Sequence, residues 1–218
     1  MSHIEIRIAL VLSLLVAGIS PSQADSVASG LSIIEAQATK GRAAKTGYTR
    51  SQFGQTWADV DRNGCDTRND ILKRDLTAEV FKEKTRECVV ISGTLIDPFS
   101  GETINFVRGN VSSMEVQIDH VVALSNAWQT GAFKLSIKER TAFANDPLNL
   151  LAVKGRLNSQ KGDGDAATWL PPLKSYRCDY VSRQIAVKIK YRLWFTAPEK
   201  EAIVRILKSC PEKALPTS

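Results

Sequence analysis

Val116-Gln117-Ile118-Asp119-His120-Val121-Val122 is the stretch of sequence that decides the fold. Its β-branched and aliphatic residues predict a strand, and a carboxylate and an imidazole lie side by side at its centre. Side chains alternate across a strand, so Asp119 and His120 reach one site only if the strand ends or bends at this dipeptide. We therefore predict a strand that gives way to a loop here. The alternative is that Asp119 holds His120 in a purely structural hydrogen bond.

The N-terminal segment has the pattern of a secretory signal peptide. Arg7 supplies the positive charge, Ile8 to Ile19 is an apolar run, and Ser22-Gln23-Ala24 is a small-x-small cleavage site. The run has about a dozen residues, fewer than the roughly 20 of a membrane-spanning helix, although an uncleaved anchor is the alternative. We predict a signal peptide at residues 1–24, cleavage near Ala24, and an exported chain, secreted or periplasmic, without a transmembrane segment.

Cleavage would leave His120 as the one imidazole of the mature protein, because the other histidine of the sequence is His3. The mature chain has the length of one domain with its own core. We divide it into an N-terminal helix and linker at residues 25–46, a main domain at residues 47–210 and a C-terminal tail at residues 211–218.

Four cysteines, Cys65, Cys88, Cys178 and Cys210, are widely spaced and include no Cys-x-x-Cys pair. In an exported chain this pattern favours two disulfides over a metal site. Of the three possible pairings we predict Cys65–Cys88 and Cys178–Cys210, since each closes a local loop on one side of the central strand.

The sequence carries a formal net charge of +6, and loss of residues 1–24 leaves it unchanged because Glu5 and Arg7 are both removed. A basic exported protein favours a polyanionic partner such as nucleic acid, but wall polymers and membrane surfaces fit the charge equally well. No segment of the sequence points to a protein partner.

Local patterns predict the elements around the central strand. They are a short helix within residues 26–40, a basic solvated connection at 40–50, a helix at 68–76 capped by Asp66 or Thr67, a hairpin of strands 87–96 and 102–107, helices at 124–129 and 136–144, a short strand at 148–153, a polar Gly-rich turn at 154–165, a helical turn at 166–170, and helices at 176–194 and 198–209. Ser136 and Glu139 predict a capping box.

A polar block, Asp59 to Asp70, leads into the helix predicted at residues 68–76. Arg62 and Arg68 within it are predicted phosphate contacts, because a guanidinium suits bidentate recognition of oxygen atoms. Two alternatives stay open for this block. It is a capping loop pinned by a disulfide, or it is a calcium loop that lacks the regular spacing and closing Glu of the hand type.

Three pieces follow one another along the chain: Asp119-His120 after a strand, Asn149 in a short strand, and Asn158 in a Lys-, Gly- and Asp-rich turn. This order resembles the HNH nucleases of the His-Me finger, or ββα-metal, superfamily. The blocks at residues 61–70, 145–150 and 169–172 look like the exported bacterial HNH endonucleases. The resemblance covers residues 47–210 and implies an α+β fold, with a ββα-metal core, an added β-hairpin, flanking helices and disulfide staples.

The resemblance also implies a role for each residue of the motif. His120 matches the general base that takes a proton from the attacking water, and Asn149 matches the residue that orients the imidazole through a hydrogen bond. Asp119 and Asn158 match the ligands of a divalent metal ion. Many relatives have histidine where this chain has Asn158, and this departure puts a transition-metal preference in doubt.

The same residues make chemical sense for phosphodiester hydrolysis. A neutral imidazole accepts a proton at pH 7, and a cation stabilises charge on the phosphate oxygens. One carboxylate and one amide oxygen suit Mg²⁺ or Mn²⁺ better than Zn²⁺. Basic residues after the motif, among them Arg156 and Lys161, are predicted to contact the phosphate backbone, with a solvated basic helix face as the alternative.

We therefore expect an exported, metal-dependent endonuclease that cleaves DNA, or DNA and RNA, with low sequence specificity. A catalytically inactive polyanion-binding or nucleic-acid-binding protein with the same fold is the first alternative. A disulfide-stapled envelope protein in which Asp119 and His120 are structural is the second. Cleavage of DNA by the wild type but not by a His120 variant separates the enzyme from both.

Overall fold

Within residues 28–109 and 112–217, which the computed structural model describes, five strands form two small antiparallel sheets. The strands are β1 (Leu76–Phe81), β2 (Val90–Ile96), β3 (Thr103–Val107), β4 (Val116–His120) and β5 (Leu150–Lys154). The first three form one sheet in the order β1-β2-β3, and β4 pairs with β5 in the other. The predicted signal peptide and its cleavage site lie outside the described residues.

The β4–β5 sheet carries the Asp119-His120 motif and is buried on both faces. His120 lies opposite Leu150, and β4 ends at His120, so the strand gives way to a loop after the dipeptide as predicted. Leu150 packs toward the three-stranded sheet, whereas Leu151 packs on the opposite side. Burial on both faces explains why β5 is a continuous apolar run rather than an alternating one.

Two carboxylates bind the outer edge of β5. The Ala152 N–H donates to Asp75 Oδ2 at 2.8 Å, and the Lys154 N–H donates to Asp97 Oδ1 at 2.9 Å. Backbone N–H groups at a covered sheet edge need a partner. Since Asp97 lies in the turn between β2 and β3, these bonds attach the three-stranded sheet to the sheet that carries the motif.

The hairpin predicted from the sequence is confirmed as β2 and β3, paired from Ser92 opposite Val107 to Ile96 opposite Thr103. Its turn is stabilised by Asp97, which accepts hydrogen bonds from the backbone N–H and hydroxyl of Ser100. The sequence does not predict β1, because Ala78 and Glu79 have weak strand propensity. β1 is an edge strand, and its pairing to β2 decides its conformation.

Helices surround the two sheets, which confirms a mixed α+β fold. They are α1 (Gly30–Glu35), α2 (Thr67–Asp75), α3 (Leu124–Gln129), α4 (Ile137–Ala144), α5 (Gly155–Lys161), α6 (Arg177–Lys190) and α7 (Ala197–Leu207). The capping predictions hold, because Asp66 accepts from the Asn69 N–H at the start of α2 and Ser136 forms a capping box with Glu139 at the start of α4.

Two local predictions are wrong. The polar Gly-rich stretch at residues 154–165 contains helix α5, and residues 166–170 form a turn instead of a helix. The entry to α5 depends on Gly155, where a Cβ atom would lie 1.9 Å from the carbonyl oxygen of Met114. Gly155 contributes to a sequence pattern that is typical of a turn. In the structure it lies at the start of a helix, where only glycine leaves room for the Met114 carbonyl oxygen.

The two C-terminal helices are joined by a buried ion pair. Lys188 Nζ of α6 lies 2.6 Å from Glu199 Oε1 of α7, and both side chains are almost completely buried. Burial lowers the pKa of Lys188 and raises the pKa of Glu199, while their mutual attraction opposes both shifts. Glu199 also closes a capping box with Thr196, so one side chain starts α7 and attaches it to α6.

Both predicted disulfides are confirmed. Cys65–Cys88 attaches the loop before α2 to the residues before β2, and Cys178–Cys210 joins α6 to the residues after α7. Within the residues that the structure describes, no helix has the length and apolar composition to cross a membrane.

Replacement of Asp97 tests the attachment between the two sheets. Asp97→Ala removes a fully buried acceptor of three hydrogen bonds and leaves the Lys154 N–H unpaired. We expect the free energy of unfolding to fall by about 3 kcal/mol, measured by urea unfolding followed by circular dichroism. Glu102→Ala is the control, because this exposed side chain forms only a surface ion pair with Lys154 and should change the free energy by less than about 1 kcal/mol. Equal decreases in the free energy of unfolding for the two variants would contradict the role of Asp97 in attaching the two sheets.

Candidate active site

A cavity of about 250 Å³ opens at the end of β4. It is lined by the predicted general base, His120, and by the two predicted metal ligands, Asp119 and Asn158. We call it the His120 cavity. Its polar and charged lining comes from the segment before α2, from β4 and from α5 and the turn after it: Tyr48, Arg50, Gln117, Asp119, His120, Asn158, Ser159 and Asp163. The structure therefore brings Asp119, His120 and Asn158 to one place, although they are far apart in the sequence.

The imidazole of His120 is half-buried and held on one edge and one face. Its Nε2 lies 2.9 Å from the carbonyl oxygen of Ala144, and its ring stacks on Trp57 with 6.2 Å between centroids and 17° between planes. A carbonyl oxygen only accepts hydrogen bonds, so Nε2 must carry the hydrogen. In the neutral ring this leaves the lone pair on Nδ1 as the proton acceptor.

The surroundings of His120 favour the neutral ring. Burial is the main cause and lowers the pKa of His120 to about 4, against the opposing effect of the Ala144 carbonyl. The positive charges of Arg50 and Lys161 lower it further. At pH 7 the ring is therefore unprotonated and able to accept a proton.

Asp119 is buried beside this ring and pairs with a buried lysine. Its Oδ1 accepts a hydrogen bond from Lys161 Nζ at 2.9 Å, and the same ammonium donates to the carbonyl oxygen of His120 at 2.8 Å. Burial raises the pKa of Asp119, and the charge and hydrogen bond of Lys161 oppose this shift. The second oxygen, Oδ2, has no hydrogen-bond partner among the described residues.

The prediction that Lys161 contacts substrate does not hold in this structure. Its side chain is fully buried and its ammonium is occupied by Asp119 and the backbone of His120. The prediction failed because lysine is almost never buried, and nothing local in the sequence indicates that α5 turns this residue inward.

Asn158 lies on α5 rather than in a turn, and its side chain faces β4. Its Nδ2 donates to Gln117 Oε1 at 2.9 Å, which leaves Oδ1 as the oxygen available to a ligand. Asp119, whose buried Oδ2 has no hydrogen-bond partner among the described residues, lines the same cavity, so the two residues supply one carboxylate and one amide oxygen, a set that fits Mg²⁺ or Mn²⁺. Within residues 28–109 and 112–217 no group of three or more His, Cys, Asp or Glu side chains is arranged to hold a metal ion, so water and phosphate would supply the other ligands.

The predicted hydrogen bond from Asn149 to His120 is not formed. Asn149 is completely buried, its Oδ1 accepts from the Val122 N–H at 2.8 Å, and its Nδ2 donates to the carbonyl oxygens of Val122 and Phe143 at 3.3 and 3.4 Å. Val122 follows His120 by two residues, and Phe143 precedes the Ala144 that binds the imidazole. Asn149 therefore fixes the backbone on both sides of the ring instead of the ring itself.

The three arginines predicted as phosphate contacts lie outside the lining of the His120 cavity. Arg62 is exposed in the polar block, Arg68 is half-buried on α2, and Arg156 is exposed on α5. Burial and the nearby Arg108 lower the pKa of Arg68. In the polar block Asp59 accepts hydrogen bonds from the loop's own Asn63 and Gly64 N–H groups, as expected for a capping loop. The phosphate contacts stay predictions.

Sequence reasoning missed Arg50 and Trp57. Arg50 lines the His120 cavity and also a small pocket on the other side of the ring, which Trp57 lines as well. Arg50 ends the stretch predicted to be a solvated connection, and no local pattern places that stretch at the motif. Trp57 could have been found from the sequence, because a large aromatic residue in a polar segment needs a packing partner.

Comparison with known proteins adds a family and a relative. Residues 66–206 match the family described as GmrSD restriction endonucleases, C-terminal domain. An uncharacterized secreted protein of Arthroderma benhamiae (strain ATCC MYA-4681 / CBS 112371) is 36% identical over 193 residues, which cover 88% of this chain and 86% of the relative. No solved structure matches the chain. The matched range includes Asp119, His120, Asn149 and Asn158.

Replacement of Lys161 tests the buried pair at the site. Lys161→Met leaves the buried carboxylate of Asp119 without a compensating charge, so we expect the free energy of unfolding to fall by about 3 kcal/mol. The measurement is urea unfolding in the presence of a chelator, followed by circular dichroism.

Lys45→Met is the matched control for this experiment. Lys45 and Asp163 form the same type of pair at 2.8 Å, but both side chains are 51% exposed. An exposed pair contributes little to stability, because water screens it, so we expect a much smaller change than for Lys161→Met. Similar decreases in the free energy of unfolding for the two variants would show that burial of the Lys161–Asp119 pair does not increase its contribution to stability.

Proposed function

The chain belongs to the family of GmrSD restriction endonuclease C-terminal domains, and we propose that it is an exported, metal-dependent endonuclease. Its substrate is DNA, or DNA and RNA, and its specificity for sequence is low. The observation that carries the proposal is the state of His120, a neutral imidazole whose Nε2 is bound to Ala144 in a cavity shared with Asp119 and Asn158.

We assign β4, β5 and α5 to a ββα-metal core of the HNH type. The support is their order and connection, because two antiparallel strands are followed directly by a helix, with Asp119-His120 at the end of the first strand and Asn158 on the helix. Asn149 lies immediately before the second strand. This order is the one that the resemblance to HNH nucleases implies.

His120 is the general base of the proposed reaction. Its Nδ1 takes a proton from the water that attacks the phosphorus atom, while the Ala144 carbonyl holds the ring through Nε2 and Trp57 supports its face. A positioned base of this kind contributes about 10²–10⁴-fold to the rate. Asn149 is a positioning residue, because it fixes the backbone of Val122, two residues after His120, and of Phe143, the residue before Ala144.

Asp119 and Asn158 are the residues that would hold the cation. A bound Mg²⁺ or Mn²⁺ stabilises negative charge on the phosphate oxygens during hydrolysis. Asp119 offers Oδ2, since Oδ1 is bound to Lys161, and Asn158 offers Oδ1, since its amide nitrogen is bound to Gln117. Arg50 is exposed at the rim of the same cavity and is suited to bind a phosphate group of the substrate.

The proposal of export rests on two features. The two disulfides are typical of a protein that functions outside the reducing cytoplasm, and the relative with 36% identity is named a secreted protein. Cleavage near Ala24 is part of the proposal. The net charge of +6 supports a polyanionic substrate.

One observation favours a second function, a catalytically silent nucleic-acid-binding protein. Lys161 already compensates the charge of Asp119, so the carboxylate is stable in the fold without a metal ion. In that case the protein binds nucleic acid in a salt-dependent manner and does not cleave it.

Nicking of supercoiled plasmid tests the proposed function. We expect the wild type to nick in the presence of Mg²⁺ or Mn²⁺ and to lose this activity with a chelator. His120→Ala should reduce the rate by at least about 100-fold because it removes the base. Arg205→Ala, a change at an exposed position of α7, should keep full activity, and circular dichroism should show all three proteins folded. Binding without cleavage by the wild type would favour the silent protein, and full activity of His120→Ala would remove His120 from the mechanism.

The pH dependence tests the state of His120. Because burial lowers the pKa of His120 to about 4, the base is already unprotonated below its ordinary range near 6.5. We expect the acid limb of kcat/KM to lie below pH 6, so that cleavage at pH 6 matches cleavage at pH 7. Circular dichroism at each pH controls for unfolding. An acid limb centred at pH 6.5 or higher would show that the ring is solvated and not held as described.

A further inference from the structure

Residues 39–50 form a segment that we call the basic strap. It contains Lys40, Arg42, Lys45 and Arg50 and no acidic residue. One end, Arg50, lines the His120 cavity. The strap therefore begins at the proposed catalytic site. Arg42 is paired with the buried carboxylate of Asp165, and Lys45 is paired with Asp163, whereas Lys40 and Arg50 form no ion pair within the described residues.

The basic strap is a largely exposed connection, as predicted, and it is also attached to the body of the protein. Its backbone forms four hydrogen bonds with residues beyond the strap: Lys40 N–H to Phe195 O at 2.9 Å, Ala43 N–H to Gln129 O at 2.8 Å, Trp194 Nε1–H to Gly41 O at 3.1 Å, and Trp128 Nε1–H to Thr46 O at 3.3 Å. A segment held at four points along its length presents its charged side chains at fixed positions.

Two lysines lie close to the same aromatic ring at the far end of the strap. Lys40 Nζ lies 4.7 Å from the centroid of Trp194, and Lys134 Nζ lies 5.7 Å from the same ring. Neither ammonium forms an ion pair with a carboxylate within the part of the chain that the structure describes. Two like charges near one ring repel each other, and a phosphate bound close to both would offset this repulsion.

An aromatic surface accompanies these two charges. Phe133 is 39% exposed and meets Trp194 edge to face, with 6.2 Å between centroids. Nucleic-acid strands are bound where cations contact the phosphates and aromatic rings support bases or sugars. A free inorganic anion would not need the exposed ring.

We propose that the basic strap is the track along which a substrate strand leaves the catalytic site. This inference rests on the proposed nuclease function and adds the path of the nucleic acid. A phosphate near the scissile bond contacts Arg50, and a phosphate farther along the same strand binds between Lys40 and Lys134 beside Trp194. Between them Lys45 is paired with Asp163, but both side chains are half exposed, and such a pair exchanges readily for a phosphate contact.

The length of the strap sets an upper limit on the distance that a bound strand must span. Ten residues separate Arg50 from Lys40, which corresponds to at most about 33 Å of extended chain. At 3.4 Å per nucleotide along a duplex strand, this limit is about ten nucleotides. A duplex clearly longer than this can therefore extend from the His120 cavity to the far end of the strap.

The experiment measures binding of fluorescein-labelled DNA duplexes by fluorescence anisotropy, with full-length mature protein carrying His120→Ala to prevent cleavage. The test variant adds Lys40→Ala and Lys134→Ala. The control adds Lys174→Ala and Lys208→Ala, which removes the same charge from two exposed lysines beyond the strap. Duplexes of about 6 and about 24 base pairs are about 20 Å and about 82 Å long, so only the longer one exceeds the upper limit of the span.

For the long duplex we expect the test variant to bind about tenfold more weakly than the parent. The slope of log K against log salt concentration should become smaller by about 1.8, the value for two lost phosphate contacts. The short duplex, which contacts a smaller part of the strap, should be weakened less than the long duplex. The control should stay close to the parent with both duplexes.

The possible failures are distinguishable. Equal weakening by the test and control variants, or equal weakening for both duplexes, would overturn the track while leaving the nuclease function in place. Absence of DNA binding by the parent would remove the proposed function and the track with it. Loss of binding to phosphatidylglycerol vesicles, with unchanged DNA binding, would assign the lysines to a membrane surface and overturn the track.

Discussion

The end of β4 depends on one buried ammonium group. Lys161 binds the carboxylate of Asp119 and the carbonyl oxygen of His120 with the same Nζ atom, at 2.9 and 2.8 Å. A buried carboxylate without a counter-charge would be strongly unfavourable, and the lysine without the carboxylate would be equally so. The pair therefore stays together because separation would leave a buried, uncompensated charge on each side. It fixes α5 against β4. Asn158 lies on the same helix, so this contact also decides where the proposed metal ligands meet.

Much of the local structure follows from the sequence. Caps at Asp66 and Ser136, the Pro-Gly turn between β2 and β3, and the interruption of an apolar strand by Asp119-His120 act through neighbours along the chain, and each of these predictions is confirmed. The pairing of the cysteines also follows, since both disulfides close local loops.

The remaining features depend on contacts between distant segments. Lys161 is buried only because α5 packs on β4, and Arg50 reaches the site only because the basic strap is bound by Trp128 and Trp194. Asn149 was expected to bind the ring, because a buried amide in an apolar strand needs a polar partner. That reasoning was sound about the need for a partner and wrong about its identity, since the backbone at Val122 and Phe143 supplies it. The sequence indicates which buried polar groups need a hydrogen-bond partner, but the fold determines which group that partner is.

The loop after His120 shows how the fold combines rigidity and exchange. Buried amides hold it, because Asn149 binds both backbone groups of Val122 and Gln184 donates to the carbonyl oxygen of Val121. These bonds have no competing water, so they persist in one arrangement. The exposed Lys45–Asp163 pair of the strap is different, since water and phosphate compete for it. The proposed proton acceptor must keep its position through many reaction cycles, whereas a polyanion must bind and leave. Buried neutral amides behind the imidazole and an exposed ion pair on the strap would meet both requirements of the proposed function in one small domain.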